Sequence, residues 1–242
     1  MNKYFNINYE FDKKEVHRAI DCTQKGYICV ADGVVLNTAN RDKDYLSVVN
    51  GGMFSICDSS WVPLYLKAIY GYKYEQYCGA EIFNDIVSSQ KYRMIFLGTD
   101  QKTLTSLQNE LVNMNPEVTN MKFVELPFCG VDDFDYPNIA RMIDEDGAKI
   151  IWVALGAPKQ ERFMNHLLPY LGSGIMLGVG AVFKFYSGQY ESRCPKWIQE
   201  HHLEFVYRII QDPKKQLKRC FWIVITLPKL FFGELKRKYK FM

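Results

Sequence analysis

The class this sequence predicts is α/β: a mostly parallel sheet with helices on both faces. Three observations lead there. Short runs that are apolar throughout, not merely at alternate positions, recur along the middle of the chain, as strands buried on both faces require. Between them lie segments whose large apolar residues recur at helical spacing. Three of the apolar runs also end in glycine, which lets the chain leave a strand in a sharp turn.

Tyr27–Val30, Val34–Leu36 and Ser55–Cys57 are the first, weaker strand candidates. Arg93–Thr99 (RMIFLGT) reads as a strand, and Leu104, Leu107 and Leu111 place a helix after it. Phe123–Leu126 is a short strand, Ile139–Ile143 fits a helix, and Lys149–Gly156 (KIIWVALG) is a further strand. A helix from about Lys159 to Leu171 and a strand at Gly174–Gly180 (GIMLGVG) complete the series. This alternation is Rossmann-like, and such sheets bind ligands beyond the carboxyl ends of their strands. Gly98, Gly156, Gly178 and Gly180 fall there and favour a nucleotide or phosphate crevice, with ordinary turn chemistry as the competing reading of any one of them. The absence of a G-x-G-x-x-G or P-loop string argues against the standard dinucleotide and P-loop sites.

With 242 residues, 48% of them hydrophobic, the chain suits one large domain or a domain with an appendage. The charged, mixed N-terminal run has no apolar signal segment, which predicts a cytoplasmic protein. Seven cysteines, an odd count without a C-x-x-C pair, read as reduced thiols. The net charge of +3 hides an asymmetry: from Arg193 onward 12 basic residues face 4 acidic ones, whereas the first 192 residues hold 18 and 23. The expected division is therefore an α/β body over 1–192 and a basic appendage over 193–242, with an anionic partner for the appendage. Within it, Phe221–Phe232 is strongly apolar but interrupted by Pro228 and Lys229, and is too short to span a bilayer, which takes about 20 residues. Lys214, Lys215, Lys218 and Arg219 precede it, and Lys236, Arg237, Lys238 and Lys240 follow it. That pattern fits a segment lying on an anionic membrane surface. A helix packed on the body or on a second copy is the rival, so a homo-oligomer stays open. No nucleic-acid-binding motif accompanies the basic skew, so no nucleic-acid partner is expected. His201 and His202 are adjacent, point different ways on a helix, and predict no metal site.

Gly156–Phe163 (GAPKQERF) is the most specific stretch. Pro158 suits a helix start, and Glu161 lies near the positive end of the helix dipole. Gln160 both donates and accepts hydrogen bonds and is suited to read the edge of a base such as uracil. A solvated, charged first turn is the competing reading. Two further strings follow: GVGAVFKFYSGQYESRCPKW at 178–197 and LEFVYRIIQDPKKQLKR at 203–219. In this order they resemble the WecG/TagA/CpsF glycosyltransferases, glycosyltransferase family 26. That family's strings run approximately G-x-P-K-Q-E, G-V-G-x-x-F-D-x-x-A-G-x-x-x-R-A-P-x-W and L-E-W-x-x-R-L-x-x-E-P-x-R. Leu97–Thr99, Cys78–Phe83 (CGAEIF) and an Asp after a strand at Asp58 extend the resemblance to nearly the whole chain from about residue 27.

The resemblance implies an inverting transfer of an amino sugar, or a related sugar, from a UDP-sugar to a polyprenyl-diphosphate-linked sugar. It implies neither metal nor other cofactor, a Rossmann-like core with a membrane-docking C-terminal appendage, and peripheral association with the inner face of the cell membrane. Asp58 matches the proposed base that takes the acceptor's proton, and a helix or turn cap is its competing role. Asp32, Gly79, Gly98, Gly156, Gln160, Glu161, Gly178, Gly180 and Lys184 are the donor-site candidates. Arg208, Lys214, Lys218 and Arg219 match basic positions that would grip phosphates of the donor or acceptor. The sequence departs from the family in several places. Val30-Ala31-Asp32 replaces T-x-N, Asp58-Ser59 replaces Asp-Gly, Gln76 replaces an arginine, Lys184 replaces the Asp of F-D, and Leu203-Glu204-Phe205 replaces L-E-W. These changes bear on the donor sugar and motivate a rival expectation: a non-catalytic, nucleotide-sugar-binding or scaffold member of the family.

Overall fold

A computed structural model of the chain describes residues 2–188 and 213–240, with the side chains of 213–220, 223, 224 and 240 excepted. Its strands are β1 (Asn2–Tyr4), β2 (Ile7–Tyr9), β3 (Lys25–Ala31), β4 (Phe54–Cys57), β5 (Met94–Gly98), β6 (Lys122–Val124), β7 (Ile150–Ala154) and β8 (Gly174–Gly178). They form one sheet in the order β1-β2-β4-β3-β8-β7-β5-β6. Every pairing is parallel except that of β1 with β2. The helices are α1 (Lys13–Cys22), α2 (Gly33–Ala39), α3 (Lys43–Asn50), α4 (Trp61–Tyr70), α5 (Gly79–Ser88), α6 (Gln101–Leu111), α7 (Tyr136–Asp146), α8 (Lys159–Leu167), α9 (Val182–Tyr186) and α10 (Pro213–Lys240).

The fully apolar strands are buried on both faces, as the α/β reading expects. Tyr27, Cys29, Ile95, Leu97, Ile151 and Val153 face one core layer, covered by α2, α3, α7 and α8. Ile28, Val30, Phe96, Ile150 and Trp152 face the other, under α1, α5, α6 and α9. The expected strand at Val34–Leu36 is instead the middle of α2. The Asp32 carboxylate accepts from Val34 N–H (2.8 Å) and Val35 N–H (2.9 Å), so a helix cap outweighs the strand preference of two valines.

Strand order sets the position of a site. From β3 the chain moves outward to β4, then crosses to the far side to make β5 and β6, and returns inward through β7 to β8 beside β3. The carboxyl ends of β3 and β8 therefore flank a switch point, the place where open α/β sheets bind their ligands. The amino ends are closed by charge: Arg93, just before β5, grips the buried Asp146 carboxylate with bonds of 2.8 and 2.9 Å.

α10 lies against α2 and α4. Glu234, which is buried, accepts from Phe5 N–H at 2.9 Å and from the Tyr70 hydroxyl at 2.8 Å. Thr226 donates to Asn37 at 2.6 Å, and the Arg41 guanidinium sits 3.6 Å from the Trp222 ring centre. Pro228, expected to interrupt this segment, lies inside the helix on its exposed face. Phe221, Ile225, Phe232 and Tyr239 line the outer face and remain exposed, Phe232 at 60%. No described helix is long and apolar enough to cross a membrane.

Gly98 has φ +110°, and a Cβ there would stand 2.8 Å from the Ala154 carbonyl oxygen across the β5–β7 junction. Gly98→Ala is therefore expected to lower stability by about 2 kcal/mol or more, read by urea unfolding. An unchanged midpoint would mean that the two strand ends are free to part.

Candidate functional site

Four loops meet at the carboxyl edge of the sheet, following β3, β4, β7 and β8. Asp32 and Asp58 come directly after paired positions of neighbouring strands, Ala31 and Cys57. Asp58 is half-buried, and its own N–H bonds the Ala31 carbonyl at 3.1 Å. Its Oδ1 accepts from Gly79 N–H at 3.0 Å, at the first turn of α5. A carboxylate at a helix N-terminus sits in a favourable field, which fixes its orientation. Gln76 donates to the Asp58 carbonyl at 2.8 Å, and Tyr77 N–H bonds the Cys57 carbonyl at 3.1 Å. The segment before α5 thus clamps the Asp58 loop through its backbone.

The GAPKQERF stretch is not a solvated turn. The side chains from Lys159 to Phe163 tie α8 to the elements around it. Lys159 donates to the Cys129 carbonyl at 2.6 Å, and Arg162 pairs with Asp42, the cap of α3, at 2.7 Å. Phe163 is buried edge-on against Phe134, 4.9 Å between ring centres. Gln160, 4% exposed, accepts from Gly156 N–H at 3.0 Å through Oε1. Its Nε2 donates to the Gly178 carbonyl at 3.0 Å and to Glu161 at 2.9 Å. Both of its donor hydrogens are therefore spent inside the protein and not on a base edge, the role expected from sequence. Glu161, 0% exposed, also accepts from the Tyr45 hydroxyl at 2.9 Å. Burial pushes its carboxyl up to about 7 against the hydrogen bonds that favour its charge, with nearby Asp32 adding to the rise.

The glycines are likewise engaged by the protein. Gly79 and Gly156 give their N–H groups to Asp58 and Gln160. Gly178 leaves room for its neighbours, since a Cβ would stand 2.9 Å from Met164 Cε and 3.0 Å from Gln160 Nε2. Thr99, next after Gly98, has φ +56°, an unusual conformation for a β-branched residue and a mark of strain at this edge. Asp32 spends one carboxylate oxygen on the cap of α2, and Lys184 is half-buried on α9. Among the described residues, no group of three or more His, Cys, Asp or Glu could hold a metal ion.

This arrangement places the oriented Asp58 carboxylate beside the switch point, with the GAPKQERF helix bracing loops at the same edge. A model of the glycosyl transferase WecG/TagA/CpsF family matches residues 4–241. The chain belongs to that family. Among similar proteins is the N-acetylglucosaminyldiphosphoundecaprenol N-acetyl-beta-D-mannosaminyltransferase of Bacillus subtilis (strain 168). It is 25% identical over 229 residues, covering 90% of this chain and 86% of that protein. The protein of the same name from Staphylococcus aureus (strain MW2) is 24% identical over 224 residues, covering 90% and 84%. As a WecG/TagA/CpsF member the chain is a glycosyltransferase.

Two of the departures from the family pattern have structural partners. Val30 packs against the first residue of α5, 3.2 Å from where a Cβ on Gly79 would stand, and Gln76 holds the Asp58 loop. Arg208, His201 and His202 lie outside the described residues. Lys214, Lys218 and Arg219 fall on α10, but their side chains are not among those described. Sequence reasoning missed Tyr45, because a tyrosine on an amphipathic helix carries no signal of a distant carboxylate. It also missed the box that starts α5, in which Glu81 accepts from Cys78 N–H at 3.1 Å. C-x-x-E is a thiol version of the S/T-x-x-E capping signature and could have flagged it.

The Glu161 carboxyl titrates near 7 when folded, against 4.5 ordinarily. A raised acid contributes stability that is complete below the lower value and is lost as pH rises through the higher one. Unfolding free energy should therefore fall by about 3 kcal/mol between pH 4.5 and 8 from this group alone. In Glu161→Gln that part of the decline should vanish, as measured by urea unfolding across the pH range. An identical decline in wild type and variant would place the titration elsewhere.

Proposed function

We propose that this glycosyltransferase moves an N-acetylhexosamine from a UDP-sugar to a polyprenyl-diphosphate-linked sugar, inverting the anomeric centre without a metal ion. The observation that carries the reading is Asp58: a carboxylate at the carboxyl end of β4, next to the switch point and oriented by the N-terminus of α5. The names of the relatives support the choice of substrates: N-acetylmannosamine as the transferred sugar and an N-acetylglucosaminyl-diphosphoundecaprenol as acceptor.

In this reading Asp58 takes the proton of the acceptor hydroxyl as that oxygen attacks the anomeric carbon. The new glycosidic bond forms while the bond from the anomeric carbon to the UDP oxygen breaks, and UDP leaves from the opposite face. The loops after β7 and β8, with Gly156, Gly180 and Lys184, would flank the donor. Arg208, Lys214, Lys218 and Arg219 of the basic segment 193–242 would neutralise phosphates as charge develops on the leaving group. The same segment would bring the body, residues 1–192, to the inner face of the cell membrane, where a polyprenyl acceptor resides. The outer face of α10, with Phe221, Ile225, Phe232 and Tyr239 exposed near Lys229 and Lys236, has the mixed apolar and basic character of an interfacial helix. Val30 packs on the start of α5 and Gln76 hydrogen-bonds the loop of an Asp58 that is retained, which supports the catalytic reading over the non-catalytic one.

Asp58→Asn keeps the size of the side chain and removes its capacity to take a proton. The expected result is a loss of transfer of about a hundredfold or more in kcat, with thermal stabilisation by UDP retained. Full activity in the variant would remove Asp58 from this role, and wild-type activity abolished by EDTA would overturn the metal-free reading. Phe221→Ser with Phe232→Ser, both on the exposed face, should weaken binding to vesicles of phosphatidylglycerol with phosphatidylcholine while leaving the melting temperature unchanged. Undiminished sedimentation with those vesicles would count against α10 as the docking element.

A further inference from the structure

Glu161 presents a contradiction on its own terms. The side chain is completely buried, and among the described residues no cation pairs with it. A carboxylate left without a countercharge in the interior is costly, and folds ordinarily replace it. The groups that face it compound the cost. Asp32, just past the end of β3, pushes the Glu161 carboxyl up further, and β3 itself brings Tyr27 and the Cys29 thiol, whose own ionisation the Glu161 charge disfavours. α3 contributes the Tyr45 hydroxyl, and the nearby Arg162 guanidinium is turned to Asp42 and the outer side of the Tyr45 ring.

What the carboxylate does touch is specific. Gln160 has an amide whose two ends are chemically opposite but nearly equal in shape, so its orientation has to be imposed. Gly156 N–H can only donate and therefore selects Oε1, whereas the Gly178 carbonyl can only accept and selects Nε2. The ionised Glu161 is a third, acceptor-only partner on the Nε2 side, so a reversed amide would set oxygen against two acceptors. Tyr45, donating from α3, holds the carboxylate itself in place. The amide in turn joins the loop after β7 to the end of β8.

We infer that Glu161 is a positioning residue for the transfer: from a place no ligand reaches, it orients the Gln160 amide, which sets the spacing between the β7 and β8 loops that hold the donor. The inference rests on the proposed UDP-sugar reading for its effect on the donor, and on the hydrogen-bond geometry alone for the brace. Because the brace shapes a binding surface and not the reacting atoms, its loss falls on donor KM and leaves kcat largely intact.

The experiment compares wild type with Glu161→Gln and Tyr45→Phe, using UDP-N-acetylmannosamine as donor and pH values from 6 to 8, where that diphosphate diester does not titrate. In wild type, donor KM should fall as pH rises through about 7 and Glu161 ionises. In Glu161→Gln it should be raised about tenfold and flat with pH, and in Tyr45→Phe raised by a smaller factor, with kcat within about threefold in both. A variant that is less stable but has wild-type KM at every pH would overturn the inference and leave the transferase reading standing. If wild type neither binds nor transfers from any UDP-sugar, that reading fails. The brace is then decided by amide hydrogen exchange at Gly156, where faster exchange in folded Tyr45→Phe supports it and unchanged exchange overturns it.

Discussion

A parallel sheet gathers the carboxyl ends of its strands on one edge, but it does nothing to hold the loops there at fixed separation. Here that task falls to the first turn of α8, and within it to one buried amide. Gln160 bonds the Gly156 N–H in the loop after β7 and the Gly178 carbonyl at the end of β8, where the ladder between the two strands runs out. The neighbouring side chains carry the bracing outward, to the loop after β6 through Lys159 and to the cap of α3 through Arg162. A helix with a solvated first turn would leave these loops to find their own positions, at an entropic cost met afresh with every ligand.

Charge is distributed with the same economy. At the amino edge, a bidentate arginine–carboxylate pair satisfies the buried Asp146. At the carboxyl edge, the Asp58 carboxylate accepts from an N–H at a helix start, and Glu161 accepts from a hydroxyl and an amide. A neutral donor fixes the direction of a carboxylate's lone pairs without cancelling its charge, which under the proposed function would suit Asp58 as a proton acceptor. The difference between the two edges separates what stabilises the body from what equips the crevice.

The β5, β7 and β8 strands were legible in the sequence because double-sided burial leaves no alternation to misread, and the glycines at their ends mark the edge where the crevice lies. The α2 region was not, since Val34-Val35-Leu36 satisfies strand and helix preferences alike and only the Asp32 cap decides between them. The β1–β2 hairpin escaped notice because its strands are three residues each and its turn uses Phe5 and Asn6 at positive φ in place of glycine. At the site, the sequence singles out Asp58 and the GAPKQERF string, but not the contacts that the string makes. Sequence shows that Gln160 can donate and accept, and only the fold shows that its partners are Gly156, Gly178 and Glu161. Hydrogen-bonding capacity is a local property, whereas its use depends on neighbours brought from afar.

The hairpin and α10 bring these two lines together. The N–H of Phe5, freed by the tight turn, meets the carboxylate of Glu234 from the far end of the chain, and Tyr70 at the end of α4 completes the pair. One face of α10 is thereby fixed by polar bonds to the body, through Thr226 and Glu234, with Leu227 and Leu230 packed on the core between them. The opposite face is relieved of any duty in folding and is free to be apolar. Exposed aromatic residues on a helix that is already anchored add little to the stability of the body, so their presence calls for a partner outside it. A bilayer surface would meet that requirement over the length of a helix without needing any complementary shape, and under the proposed function it would also hold the polyprenyl-linked acceptor.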